Sequence, residues 1–143
     1  MKSDKISIKI YTDGASRGNP GPSSYGYVIL NSDNEVIKEE GKVIGNTTNN
    51  VAEYTAVLSA LTFVRDGLSK KKQVEKIELF ADSKLVVEQL SGRFKIKAAH
   101  LFVILQKIRV IVAGLGPVQY KHIPRELNSA ADSLANQALD GLL

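Results

Sequence analysis

No cysteine occurs anywhere in the chain, which excludes disulfides and thiolate metal sites. No window is apolar enough to span a membrane, and the first ten residues, MKSDKISIKI, lack the apolar core of a signal peptide. These absences lead to the expectation of a cytoplasmic protein without a membrane partner. Internal repeats, low-complexity tracts and long linkers are missing as well, so the 143 residues are expected to form a single domain, 1–143. Charge of one sign is also scarce in excess: 19 Lys and Arg against 15 Asp and Glu leave +4. So small an excess favours a polyanionic partner weakly and serves solubility equally well. What is present is ordinary for a globular protein, with 43% hydrophobic and 24% charged residues.

The patterning divides the chain into alternating elements. Residues 6–12 alternate, with Ile6, Ile8 and Ile10 on one face, and predict a strand. The glycine- and proline-rich stretch from Gly14 to Pro22 predicts a turn. Two further strands are expected at 24–31 and 35–44, joined by a hairpin turn at Ser32-Asp33-Asn34. A helix starts near Thr48 or Asn49, both good caps, and its buried stripe is Tyr54, Val57, Leu58, Leu61, Val64 and Leu68. The lysines at 70–72 form a connection. A fourth strand follows at 76–81, a short helix at Ser83 to Leu90, a longer helix at 98–113 and a fifth strand at 117–123. The last helix follows Asn128, with Ala131, Leu134, Ala135, Ala138 and Leu139 inward. Three short-linked strands are expected to be antiparallel, and strands separated by helices to be parallel. The predicted fold is an α/β mixed five-stranded sheet with helices packed on it.

Four acids sit where this scheme makes them informative. Asp13 ends the first strand with parity opposite to Ile6, Ile8 and Ile10. Asp82 ends the fourth strand, again opposite in parity to Ile77 and Leu79, so neighbouring strands would deliver both carboxylates to one end of one sheet face. Glu53 lies beside the buried stripe of the first long helix, and Asp132 in the first turn of the last. Each also has a structural explanation, since acids favour the start of a helix and Asp82 is well placed to cap the helix after it.

The local sequences around these acids are specific. YTDGASRGNPGP at 11–22, TTNNVAEYTA at 47–56, ADSKLVVEQLSG at 81–92 and IPRELNSAADSLANQA at 123–138 resemble, in order, the four blocks of type 1 ribonuclease H. The first two blocks are highly specific, and the resemblance covers essentially the whole chain. It implies the ribonuclease H-like fold, a mixed five-stranded sheet with helices on both faces. It also implies an endoribonuclease that cleaves the RNA strand of RNA–DNA hybrids by two-metal-ion hydrolysis, leaving 5′-phosphate and 3′-hydroxyl ends. The catalytic and metal-binding carboxylates are then Asp13, Glu53, Asp82 and Asp132.

That chemistry suits such a cluster. Hydrolysis of a phosphodiester must neutralise charge on the phosphate, activate a water and stabilise the leaving oxygen, which two divalent ions roughly 4 Å apart accomplish together. Asp and Glu without His or Cys ligands suit Mg²⁺, with Mn²⁺ able to substitute, and not zinc. By resemblance, Asp13 bridges two ions, Asp132 helps hold the ion that activates water, and Glu53 and Asp82 hold the ion on the leaving-group side. Without metal, such a cluster is expected to raise at least one pKa. The implied partner is an RNA–DNA hybrid bound by a monomer. Gly14, Ala15 and Ser16 would bring backbone to the minor groove, and Asn19, Thr48, Asn49 and Asn50 would contact sugar or base edges, where the 2′-hydroxyl marks RNA. For the asparagines, turn formation and capping are the competing explanation.

The chain departs from the family pattern at several positions. Asn46 stands where many members keep an arginine that binds a DNA phosphate, and Lys84 where bacterial relatives often carry glutamine, a change that supplies compensating charge. His122, ten residues before Asp132, matches the spacing of a catalytic histidine in some relatives. In the alternative register it occupies a strand position and Arg125 is the loop's catalytic helper. Lys95 and Lys97, beside Phe94, are candidates to contact the DNA strand, or else belong to a solvated connector. With no tryptophan in the chain, the tryptophan-containing basic protrusion of some bacterial members is missing. Two other readings remain at this point, a non-catalytic hybrid-binding scaffold and a related nuclease acting on DNA.

Overall fold

In the computed structural model, residues 5–143 are described. The reading of the first ten residues therefore lies outside the described residues at positions 1–4. The elements are β1 (Lys5–Ser16), β2 (Gly21–Asn31), β3 (Val36–Thr47), α1 (Asn49–Phe63), β4 (Gln73–Ala81), α2 (Lys84–Leu90), α3 (Ala99–Leu115), β5 (Val118–His122) and α4 (Ser129–Leu139). One π-helical turn, Val64–Leu68, prolongs α1, and a 3₁₀ turn, Arg125–Leu127, precedes α4. Strand order is β3-β2-β1-β4-β5. β1 pairs antiparallel with β2 and β2 with β3, whereas β4 runs parallel to β1 and β5 to β4. This is the expected mixed sheet. No helix among the described residues is long and apolar enough to cross a membrane.

The alternation in β1 does what its period requires. Ile8 and Ile10 are buried in one core with Tyr54, Val57, Leu61 and Val64 of α1 and its prolongation, and with Leu105 and Ile108 of α3. Each fully buried side chain of this size contributes about 1.5–3 kcal/mol of transfer free energy. α1 also turns Ala52, Ala56 and Ala60 inward, small residues that let it lie close to the sheet. α4 covers the other face.

Three expectations are corrected. The turn predicted from Gly14 to Pro22 is confined to 17–20, because Asp13 to Ser16 continue the ladder opposite Gly26 to Ser23. The Ser23 hydroxyl, within hydrogen-bond distance of Ser16 Oγ (3.0 Å) and of the Thr47 carbonyl oxygen (3.1 Å), ties these three strand ends together. Leu134 and Leu139 are only half-buried, and just Ala131, Ala135 and Ala138 point fully inward from α4. The cause is the close seating of that helix: a Cβ on Gly26 would stand 2.8 Å from the Ala135 nitrogen, leaving room only for methyl groups beneath α4. Finally, Asp82 does not cap α2. Ser83 does, accepting a hydrogen bond from the Val86 amide at 3.3 Å.

Candidate active site

The site stands where the pairing of β1 with β4 ends. Tyr11 and Phe80 are the last registered pair of these parallel strands, and Asp13 and Asp82 follow two residues later on each. With Ser83 serving as the cap, the Asp82 carboxylate is left to the cluster. Glu53 arrives from α1, whose start is fixed by Thr48 through a hydrogen bond accepted from the Val51 amide (3.3 Å). Gly14 makes this approach possible. A side chain there would lie 2.6 Å from the Ala52 carbonyl carbon, so only glycine lets the backbone around Glu53 settle against β1. The sequence suggests Gly14 for substrate approach, but the fold already demands it for helix packing.

One carboxylate oxygen each from Asp13, Glu53 and Asp82 lie within 4.8 Å of one another. Asp132, in the first turn of α4, borders the same cavity of about 560 Å³. Burial raises the Asp13 carboxyl from 3.8 to about 8, helped by the Asp82 charge, then by a hydrogen bond and charge from Asp132, then by the Glu53 charge. Burial also lifts Glu53 from 4.5 to about 7; the nearby Ser83 side chain opposes this and the Asp82 charge adds to it. Glu53 Oε1 accepts weakly from the Asn49 amide at 3.5 Å, while its Oε2 is buried without a hydrogen-bond partner. A buried, unpartnered carboxylate oxygen facing like charges, in a set of oxygen donors only, fits a hard divalent cation.

The other anticipated residues divide between the cavity and its surroundings. Gly14, Ala15, Ser16, Asn19, Asn49 and Arg125 line it. Asn19 Oδ1 accepts from the Asn49 amide (3.0 Å), joining the β1–β2 turn to the start of α1. Thr48 caps the helix and Asn50 follows in its first turn; neither lines the cavity. Lys84, at the start of α2, is exposed. Lys95 and Lys97 are exposed in the connection between α2 and α3, also outside the cavity lining. His122 ends β5, exposed, with its Nε2 3.3 Å from the Asp82 carbonyl oxygen.

Sequence reasoning misses three residues at the site. Ser83 and Asn136 line the cavity, and Asn136 donates to Asp132 at its carbonyl (2.9 Å) and at Oδ1 (3.2 Å). The four-residue spacing of Asp132 and Asn136 is a usable signal, since such positions are neighbours on a helix. Asn128 is buried and donates from Nδ2 to Asp82 Oδ2 at 3.0 Å. No local pattern announces that contact.

The family model described as reverse transcriptase-like matches residues 11–138. Among curated relatives, ribonuclease HI of Halobacterium salinarum is 40% identical over 133 residues, which are 93% of this chain and 64% of that protein. A bifunctional protein of Mycobacterium tuberculosis is 40% identical over 136 residues, which are 94% of this chain and 36% of that protein. The chain thus spans less than two thirds of either relative. Among solved structures, LC11-RNase H1 in complex with an RNA/DNA hybrid superposes with a TM-score of 0.89 at 40% identity, covering 94% of this chain and 97% of that one. Match over nearly the whole chain, shared sheet topology and the acid cluster at the strand ends together place this protein in the type 1 ribonuclease H family.

Proposed function

We propose that this chain is a metal-dependent endonuclease that cleaves the RNA strand of an RNA–DNA hybrid, leaving 5′-phosphate and 3′-hydroxyl ends. The observation that carries this reading is the convergence of Asp13, Glu53 and Asp82 oxygens within 4.8 Å, with Asp132 on the same cavity. Support for the hybrid as substrate comes from the likeness to LC11-RNase H1, whose structure holds an RNA/DNA hybrid.

Asp13, Glu53, Asp82 and Asp132 are the residues that would hold Mg²⁺ ions, two by preference, with Mn²⁺ as substitute. The bound ions would neutralise charge on the phosphate and lower the pKa of water for attack. Asp13 and Glu53 carry pKa values of about 8 and about 7, so at neutral pH they tend to keep protons that an entering cation displaces. Arg125 sets a fixed positive charge on the cavity wall, suited to an entering phosphate. Asn49, held through its amide by Asn19, presents a side-chain amide at the cavity edge beside Glu53, placed to read a ribose hydroxyl.

Cleavage of a strand-labelled hybrid with Mg²⁺, by wild type and Asp13→Asn, tests this reading, with DNA duplex and RNA duplex as controls. Metal-dependent cutting of the RNA strand in the hybrid alone, lost in Asp13→Asn, is the expected result. A wild type that binds hybrid without cutting it under Mg²⁺ or Mn²⁺ would make the domain a scaffold. Cutting of the DNA duplex would make it a DNA nuclease.

A further inference from the structure

Asparagine is a favoured residue at helix N-termini because its side chain accepts from the first free amides. Asn128 stands at the N-cap of α4 yet makes no such bond. Its side chain is turned into the sheet, where it is 1% exposed. There Nδ2 donates to the Thr12 carbonyl at 2.9 Å and to Asp82 Oδ2 at 3.0 Å. Both neighbours are pure acceptors, which settles the orientation of the amide, since only the nitrogen end has hydrogens to offer. The Asn128 Oδ1 atom is buried with no partner. A side chain selected for stability alone would not forgo its cap and leave an acceptor unpaired, because both losses destabilise.

We propose that Asn128 is a positioning residue of the acid cluster, acting through Asp82. Holding one Asp82 oxygen limits rotation of the carboxylate and so fixes where its other oxygen points. The bond to Thr12, the residue before Asp13, refers that orientation to the strand that carries the neighbouring acid. The backbone of the same asparagine accepts the Asp132 amide at 3.1 Å. One residue thus touches the supports of three carboxylates contributed by β1, β4 and α4. Groups that orient ligands from behind in this way affect ion affinity as strongly as the ligands' own geometry does.

The inference rests on the cluster being a divalent-ion site, as proposed above, and its test reads ion affinity rather than cleavage. Metal-free wild type, Asn128→Ala, Asp82→Ala and the double variant are titrated calorimetrically with Mn²⁺, with circular dichroism reporting folding. Asn128→Ala is expected to weaken binding by about 10- to 100-fold. In the Asp82→Ala background the same change is expected to alter affinity by less than about twofold, since the group through which it acts is gone. Wild-type affinity in folded Asn128→Ala would overturn the proposal, and so would undiminished weakening in the Asp82→Ala background. If Asn128→Ala does not fold, Asn128→Ser, which keeps a short donor facing Thr12, is judged by the same two criteria. A wild type that binds no Mn²⁺ overturns both this inference and the functional reading. One that binds Mn²⁺ and cuts no hybrid overturns the functional reading alone.

Discussion

Asp13 and Asp82 are separated in sequence by β2, β3 and α1, yet they stand side by side, each two residues past the paired Tyr11 and Phe80 of parallel strands. Parallel register therefore does the first part of assembling the site. Where the pairing of β1 with β4 stops, Asp13 and Asp82 are left side by side, and α1 and α4 then bring Glu53 and Asp132 from opposite faces of the sheet. The cost of this crowding is visible in the Asp13 carboxyl, which burial and three neighbouring acids push to about 8.

At neutral pH folding obliges the Asp13 carboxyl to take up a proton, and an amide at that position removes the requirement in the metal-free protein. Asp13→Asn is expected to raise the thermal midpoint of chelated protein by several degrees, corresponding to about 1 kcal/mol or more. The same variant is expected to lose cleavage and to lose the Mg²⁺-induced rise in midpoint expected of wild type. Differential scanning calorimetry with and without Mg²⁺ measures both effects. A metal-free midpoint below that of wild type would show that Asp13 contributes more by hydrogen bonding than its burial and protonation cost.

Stability of the chelated protein should depend on pH in a definite direction. Asp13 moves from 3.8 to about 8 and Glu53 from 4.5 to about 7 on folding, so between these values the folded state holds protons that the unfolded chain releases. Stability from this source is complete below about pH 4 and is lost as pH rises through 7 to 8. Glu78 and Glu88, whose ion pairs with Lys121 and Arg93 lower their pKa values, act below that range and leave the interval from pH 5 to 8 to the cluster. Urea midpoints across pH 5–8 are expected to fall steadily in EDTA and to flatten in saturating Mg²⁺. A flat profile in EDTA would mean that neither carboxyl is perturbed.

Two glycines predict opposite outcomes. At Gly26, opposite Asp13 in the ladder, a methyl group would lie against the Ala131 carbonyl and 2.8 Å from the Ala135 nitrogen, so Gly26→Ala must push α4 off the sheet. The expected loss is about 2–3 kcal/mol in urea denaturation, together with weaker ion binding as Asp132 moves away. Gly114, in the last turn of α3, has ordinary helical backbone, and a methyl group added there would meet nothing within 4 Å. Gly114→Ala is expected to stabilise by roughly 0.5–1 kcal/mol.

Arg125 and His122 are separable by kinetics. Arg125 lines the cavity, whereas His122 is exposed at the end of β5 against the Asp82 carbonyl. Arg125→Ala is expected to lower kcat/KM on the hybrid by about tenfold or more, as loss of a charged group near the phosphate does. His122→Ala is expected to change it by less than about threefold. The reverse order would identify the histidine as the group that acts on the reacting phosphate.

Much of this protein is legible without any tertiary structure. Period-two alternation in β1 places Asp13 opposite Ile8 and Ile10, and period-3.6 spacing marks Tyr54, Val57 and Leu61 as the inner face of α1. Those patterns are local, because they reflect which side of one element meets water. Glu53 becomes a candidate chiefly through the resemblance of its surrounding block, since an acid beside a helical stripe has ordinary explanations. The full extent of β1 and β2 escapes local reading because glycine and proline at 14–22 suggest a turn, while strand pairing with a third strand holds most of that segment extended.

By itself, the sequence determined the types and order of elements and the apolar faces, and it pointed to a candidate site built from carboxylates. Tertiary structure decided that Ser83 rather than Asp82 caps α2, that Asn128 turns its amide toward Asp82 and Thr12, and that Arg125 lines the cavity while His122 stays outside it. The physical reason is distance along the chain. Asn128 and Asp82 lie 46 residues apart, and their contact depends on α4 sitting tightly against Gly26 of β2 and Gly41 of β3. How closely two backbones approach is set by packing across the whole core, and no local periodicity records it.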